Sequence, residues 1–276
     1  MITHYADIKL PTVSIAGVRQ VYHEGLELPI AHEDDRTIVL QATPHMTLTF
    51  EQRHAPIAPI HAAFQVPFDS FAESVDALKA AGLPIMRDED GQEWKTAPDN
   101  MDRTTRNVYF RDGDGHLLEL IAHEAIRADQ IDGVGTAKLL YLREMGMPVP
   151  DPPAFARWLQ TTLEMHPFEQ IDPQFNFVIS GTAYAVVVAD TRTWIPIAMQ
   201  ALPTDAHVTF GTPDRAYIDL IRQRLREHGE LIEDAADQIM FRHDPYSFSL
   251  RHTPDYPADL PQRLNETYPQ GDRSTQ

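Results

Sequence analysis

Cysteine is absent from all 276 residues. Disulfides, thiolate nucleophiles and cysteine-based zinc sites are excluded together. Positive charge is scarce: 23 Lys and Arg face 41 Asp and Glu, for a net charge of -18. Such an acidic surface repels phosphate backbones and predicts no nucleic-acid partner. No apolar run approaches the roughly 20 residues of a membrane-spanning helix. The opening Met1-Ile2-Thr3-His4-Tyr5-Ala6-Asp7 lacks a basic region followed by an apolar stretch. No membrane segment or signal peptide is expected, and a cytoplasmic location is. Nucleotide-binding glycine motifs are missing, since Gly133-Val134-Gly135 is a lone pair. No HExxH pattern links His116, His123, His228, His243 and His252. Ser180-Gly181 lies between strand-like runs, without the setting of a nucleophile elbow.

What is present is an ordinary globular composition, 42% hydrophobic and 23% charged, with an internal repeat. The clearest copy begins with an alternating strand at 61–67. A capping-box pattern follows at Ser70-Phe71-Ala72-Glu73. Phe71, Val75 and Leu78 then make one apolar helical face, and Gly82 ends the helix. Strands at 108–111 and 116–121 flank the turn Asp112-Gly113-Asp114-Gly115. The same order recurs three times. Near the N-terminus a helix from Ser14 presents Ile15, Val18 and Tyr22, with strands at 37–42 and 46–50. Further on, Phe155, Leu159 and Leu163 share a helical face before a strand at 184–188. Last, Tyr217, Ile221 and Leu225 share a face, Gly229 stops that helix, and 238–242 with 247–251 form a hairpin.

Each opening strand carries one polar residue, followed three positions later by an apolar one. The pairs are Asp7 with Leu10, His61 with Phe64, Glu144 with Met147 and His207 with Phe210. The acid–His–acid–His order reads as a duplicated pair of units. The expected organisation is a first module over 1–125, a linker over 126–136, a degenerate second module over 137–255 and a partly disordered extension over 256–276.

The residues that carry the opening strand at 61–66, its capped helix, Val108-Tyr109-Phe110-Arg111-Asp112-Gly113-Asp114-Gly115 and Leu117-Leu118-Glu119-Leu120 resemble the vicinal oxygen chelate superfamily, which includes glyoxalases, bleomycin-resistance proteins and extradiol dioxygenases. Members usually show Tyr-Phe-x-Asp-Pro-Asp-Gly-x-x-x-Glu, and here Gly113 replaces the Pro. The likeness is strongest over 58–124, and the chain as a whole resembles uncharacterised two-module bacterial members. It implies an α+β fold in which four βαβββ units pair into two incomplete curved barrels. It also implies a divalent metal ion (Fe, Mn, Zn, Ni or Co) held by Asp7, His61 and Glu119. Glu119 or Asp7 would then serve as a catalytic base. The fourth family position falls near Thr47 or Thr49, which are poor ligands. Family members usually have His where this chain has Asp7. His4 lies three residues away and is expected on the opposite strand face, unless a β-bulge turns it.

Each of these residues also has an ordinary structural explanation. His61 could be a hydrogen-bonded core histidine, Glu119 a partner of Arg106 or Arg111, and Asp7 an edge-strand charge. In the second module, Phe248 and Leu250 are expected in the core, leaving Ser249 and Arg251 on the cavity side. That module is therefore expected to be metal-free, with Arg251 paired to Glu144 or lining an anion-tolerant pocket. Trp94 and Trp194 fall in long irregular connections and either cover the cavity or simply pack. Tyr109 faces the cavity or the core. Two functions remain open. One is a metal-dependent lyase, isomerase or dioxygenase acting on a small oxygen-chelating substrate. The other is a metal-free small-molecule binder of the bleomycin-resistance type. A monomer or weak homodimer is expected.

Overall fold

The computed structural model describes residues 1–87, 90–93, 104–194 and 199–264. Trp94, one of the two candidate covering residues, lies outside them. The first stretch runs β1 (His4–Thr12), α1 (Ile15–Val18, continuing as a π-helix over Arg19–Gly25), β2 (Ile30–Glu33), β3 (Thr37–Thr43) and β4 (Met46–Gln52). The second runs β5 (His61–Gln65), α2 (Phe71–Ala80), β6 (Thr105–Arg111) and β7 (Leu117–His123). The third runs β8 (Tyr141–Val149), α3 (Pro152–Leu163), β9 (His166–Pro167), β10 (Phe175–Ser180) and β11 (Ala183–Ala189). A short ribbon, β12 (Thr193–Trp194) with β13 (Met199–Gln200), follows. The chain continues through β14 (His207–Thr212), α4 (Arg215–His228), β15 (Leu231–Asp234), β16 (Gln238–His243), β17 (Tyr246–His252) and α5 (Leu260–Arg263). Of the C-terminal extension, residues 265–276 lie outside the described set. Among the described residues no helix is long and apolar enough to cross a membrane.

The helices begin and end for local reasons. Asp151 caps α3 through the Ala154 amide, and Asp214 caps α4 through the Ala216 and Tyr217 amides. Ser14 caps α1 through Gly17. The capping box at Ser70 does not form. A 3-10 turn over Phe68–Ser70 feeds directly into α2, and the Ser70 side chain caps no amide. Phe155, Leu159, Leu163, Tyr217, Ile221 and Leu225 are all buried, as their spacing predicts.

The strands form two large mixed sheets, neither closed into a barrel. One has eight strands in the order β15-β16-β17-β14-β1-β4-β3-β2, the other seven in the order β6-β7-β5-β8-β11-β10-β9. Within each contributing stretch the first strand lies parallel to the last: β1 with β4, β5 with β7, β8 with β11 and β14 with β17. The stretches meet through antiparallel first strands, β1 against β14 and β5 against β8. The stretches 1–125 and 137–255, expected as successive modules, do not each build a sheet of their own. Each sheet draws strands from both halves of the chain, in a nested 1–4 and 2–3 pairing. The physical reason is that every opening strand exposes a similar free edge, and periodicity along a strand does not specify which edge it meets.

Alternation divides each sheet into two faces. In β4, Met46, Leu48 and Phe50 enter the main core while Thr47, Thr49 and Glu51 face away. The apolar faces of both sheets and the helices share one core. Direct ties join the sheets. The Thr182 amide donates to the Thr3 carbonyl (2.9 Å), the Ser180 hydroxyl to the Ile2 carbonyl (2.7 Å) and the Tyr5 hydroxyl to the Tyr184 carbonyl (2.8 Å). On another side, the Tyr22 hydroxyl donates to Asp112 Oδ2 (2.7 Å), and the Val13 amide to Asp114 Oδ1 (3.0 Å). Tyr22→Phe removes one bond to a carboxylate that keeps two backbone donors. We expect a loss of about 1–2 kcal/mol, read from the urea midpoint.

Candidate metal centre

His61 lies on β5, whose neighbours are β7 and β8. Register places Glu119 of β7 and Glu144 of β8 both opposite Ala63, on the strand face that His61 shares. One donor atom from each of His61, Glu119 and Glu144 lies within 4.8 Å of the others. His61 Nε2 is 3.7 Å from Glu119 Oε2. All three residues are buried.

Asp7 does not join them. β1 belongs to the other sheet, where the Thr47 and Thr49 hydroxyls donate to Asp7 Oδ1 (2.5 and 2.8 Å). The expected trio of Asp7, His61 and Glu119 does not come together; the potential donors that do are His61, Glu119 and Glu144, because β5 pairs with β8 rather than with β1. Glu144 also does not meet Arg251, which is in the first sheet; Arg143 Nε lies 3.6 Å from it instead. The signal for Glu144 was present in the sequence, since it holds the same register position as His61.

The surroundings orient each donor. His61 Nδ1 faces the Leu117 carbonyl at 3.2 Å. A carbonyl only accepts, so Nδ1 carries the proton and the Nε2 lone pair points toward Glu119. Burial lowers the His61 pKa to about 4, partly offset by that hydrogen bond, so the ring is neutral near pH 7. Glu119 accepts from the Asn107 side-chain amide and is hydrogen-bonded by Tyr109. Burial, then the charge of Glu144, nevertheless push the Glu119 pKa well above the ordinary carboxylate range. Tyr109 thus faces the site, and the Arg106 and Arg111 explanations for Glu119 fall away. Trp194 stacks obliquely against His61, with ring centroids 5.0 Å apart. Gly146, two residues beyond Glu144, leaves the space its ring occupies; a side chain there would overlap the indole.

A neutral imidazole with an outward lone pair and two repelling carboxylates form a donor set that suits a small divalent ion. Among the described residues, the site sets two buried acids against the guanidinium of Arg143. A divalent cation relieves that repulsion, so the residues fit such an ion.

Asp112, Asp114 and His116 form a second cluster of potential donors. The Ile60 amide donates to His116 Nδ1 (3.2 Å), so the ring proton is on Nε2 and that nitrogen offers no lone pair. Asp112 Oδ1 accepts from the Asp114 and His116 amides, which makes the cluster a turn-fixing device.

No protein-family model matches the chain, and no curated protein matches it. Solved structures do match. One is a protein of Bacillus subtilis assigned provisionally as a dioxygenase (14% identity, TM-score 0.68, covering 96% of this chain and 91% of that one). Another is glyoxalase I from Zea mays (14% identity, TM-score 0.56, covering 90% and 92%). A V278E mutant of the same Zea mays protein is similar at 13% identity and TM-score 0.58, covering 90% and 92%. At these identities the likeness is one of fold.

Proposed function

From a chain with the glyoxalase fold, consistent with the vicinal oxygen chelate superfamily, we propose a divalent-metal-dependent enzyme that acts on a small substrate through two neighbouring oxygens. The reading rests on one observation, the convergence of His61, Glu119 and Glu144 from three adjacent strands. When bound, the ion would supply Lewis acidity to substrate oxygens. The remaining work belongs to the protein. His61 presents Nε2 because the Leu117 carbonyl holds Nδ1–H. Asn107 and Tyr109 keep Glu119 in place, and Glu119 holds or gives up a proton at its carboxylate oxygen. Trp194, with Val186 and Val188, keeps water from the site. Lyase, isomerase and dioxygenase chemistry all suit such a centre.

The test is metal titration of chelator-treated protein with Co(II), followed by its visible spectrum and by elemental analysis. One tightly held ion per chain is expected. A protein that binds none of Co(II), Zn(II), Mn(II), Fe(II) or Ni(II) would be read as a metal-free binder instead. The pH dependence has a definite sign. Glu119 must lose its proton to bind an ion, whereas His61 is already neutral above about pH 4. Affinity should therefore climb by about tenfold per pH unit while Glu119 remains protonated, measured by competition with a chromogenic chelator.

A further inference from the structure

The first sheet has its own polar face, and the β-bulge raised as the alternative for His4 is present there. β1 contains a bulge between Tyr5 and Asp7, so His4 pairs with Gly211 and Asp7 with Thr209. The extra residue puts His4 and Asp7 on one face, although three positions normally separate opposite faces. Gly211 in turn pairs with Arg251 on β17. His4, Gly211 and Arg251 thus form one row across three strands, with no side chain in the middle. A side chain at Gly211 would overlap the His4 ring, which lies over that glycine. Tyr256 stacks on the ring's other face (centroids 3.9 Å apart, planes 2° apart).

His4 and Arg251 line a cavity of about 340 Å³, together with Gln41, Met46 and Tyr256. The Thr3 hydroxyl donates to the Gly211 carbonyl (3.1 Å), so at 2.9 Å it accepts from His4 Nδ1–H. His4 Nε2 is left as a bare acceptor, buried and without a hydrogen-bond partner among the described residues. A buried acceptor in that state calls for a donor. Arg251 gives Nε to Gln238 Oε1 (2.9 Å), and no ion pair involves its terminal nitrogens among the described residues. Asp7, on the same face, is occupied by Thr47 and Thr49. The row therefore offers a planar cation at one end and a lone pair at the other.

We propose that this cavity is a second ligand site, taking a small carboxylate with a hydroxyl on the neighbouring carbon. The carboxylate lies against the terminal nitrogens of Arg251, which suit a two-point contact. The hydroxyl donates to His4 Nε2, and Pro44 and Tyr256 contact the apolar remainder. The second sheet supplies none of these groups, so the site is independent of the proposed metal centre.

Calorimetric titration of the chelator-treated full chain tests this, with mandelate as the probe. Mandelamide lacks the charge, and phenylacetate lacks the hydroxyl. Mandelate should bind once per chain, with both controls weaker by at least about tenfold. Arg251→Gln should bring mandelate down to the mandelamide level. His4→Phe keeps a ring between Gly211 and Tyr256 and should bring mandelate down to the phenylacetate level, leaving phenylacetate unchanged. His61→Ala should leave mandelate binding intact. Equal binding of the three compounds, no saturable binding, or loss in His61→Ala but not in Arg251→Gln would each overturn the proposal. The three-compound comparison on the unmodified chain decides the matter even if a variant does not fold.

Discussion

Glu119→Gln and His61→Ala should each weaken divalent-ion binding by at least about 100-fold, yet move the stability of the metal-free protein in opposite directions. Glutamine keeps the shape of Glu119, and its carbonyl oxygen can still accept from the Asn107 amide. It removes one of two mutually repelling buried acids. Linkage sets the sign. The folded-state pKa of Glu119 is raised, so folding favours its protonated form, and that contribution is lost as pH rises through the folded value. Glu119→Gln escapes this loss and should gain roughly 1–2 kcal/mol over the metal-free parent at pH 8. The advantage should vanish near pH 4. His61→Ala leaves both acids and opens space beside Trp194, so it should lose about 1–3 kcal/mol at pH 8; the loss should shrink toward pH 4, where the parent is itself weakened because burial holds the His61 pKa down at about 4 and the unfolded chain takes up the proton. Urea denaturation at pH 4 and pH 8, with and without Co(II), separates these outcomes. A destabilising Glu119→Gln at pH 8 would contradict the view of Glu119 as a strained acid.

Gly181→Ala should lower stability by about 3 kcal/mol or more. Gly181 has φ +57, and a Cβ there would overlap the Thr3 carbonyl oxygen. The overlap would push apart the contacts that Ser180 and Thr182 make with Ile2 and Thr3, which join the two sheets. Gly229→Ala is the matching control. Gly229 has φ +70 but nothing near the position of an added Cβ, so only the backbone cost of about 1–2 kcal/mol applies. Thermal unfolding of the two variants isolates the close approach. Equal losses would mean that the sheets tolerate separation at this point.

Much of the fold was legible because its signals are local. The apolar faces of α3 and α4, the hairpin around Asp112–Gly115 and the inward Phe248 and Leu250 all follow from periodicity and turn chemistry. His61 and Glu119 were legible as a pair because β5 and β7 belong to one stretch of chain. The third member was not. Asp7 and Glu144 hold equivalent register positions, and only the choice of partner strand distinguishes them. That choice depends on how whole stretches dock, which no single strand encodes. Arg251 was correctly placed on the cavity side, but its expected partner Glu144 went to the other sheet for the same reason. The bulge at Ala6 that turns His4 has no turn-forming residue to announce it.

The bracketed strand pairing also dictates when each half of the molecule can be completed during synthesis. The seven-stranded sheet has its last strand once Ala189 has been made. The eight-stranded sheet must hold β1 and its neighbours in waiting until β14 emerges, roughly two hundred residues later, with β17 still to follow. Released chains truncated shortly after Ala189 should therefore already shield the His61 region from protease, while the opening fifty residues stay cleavable until the distant partner is present.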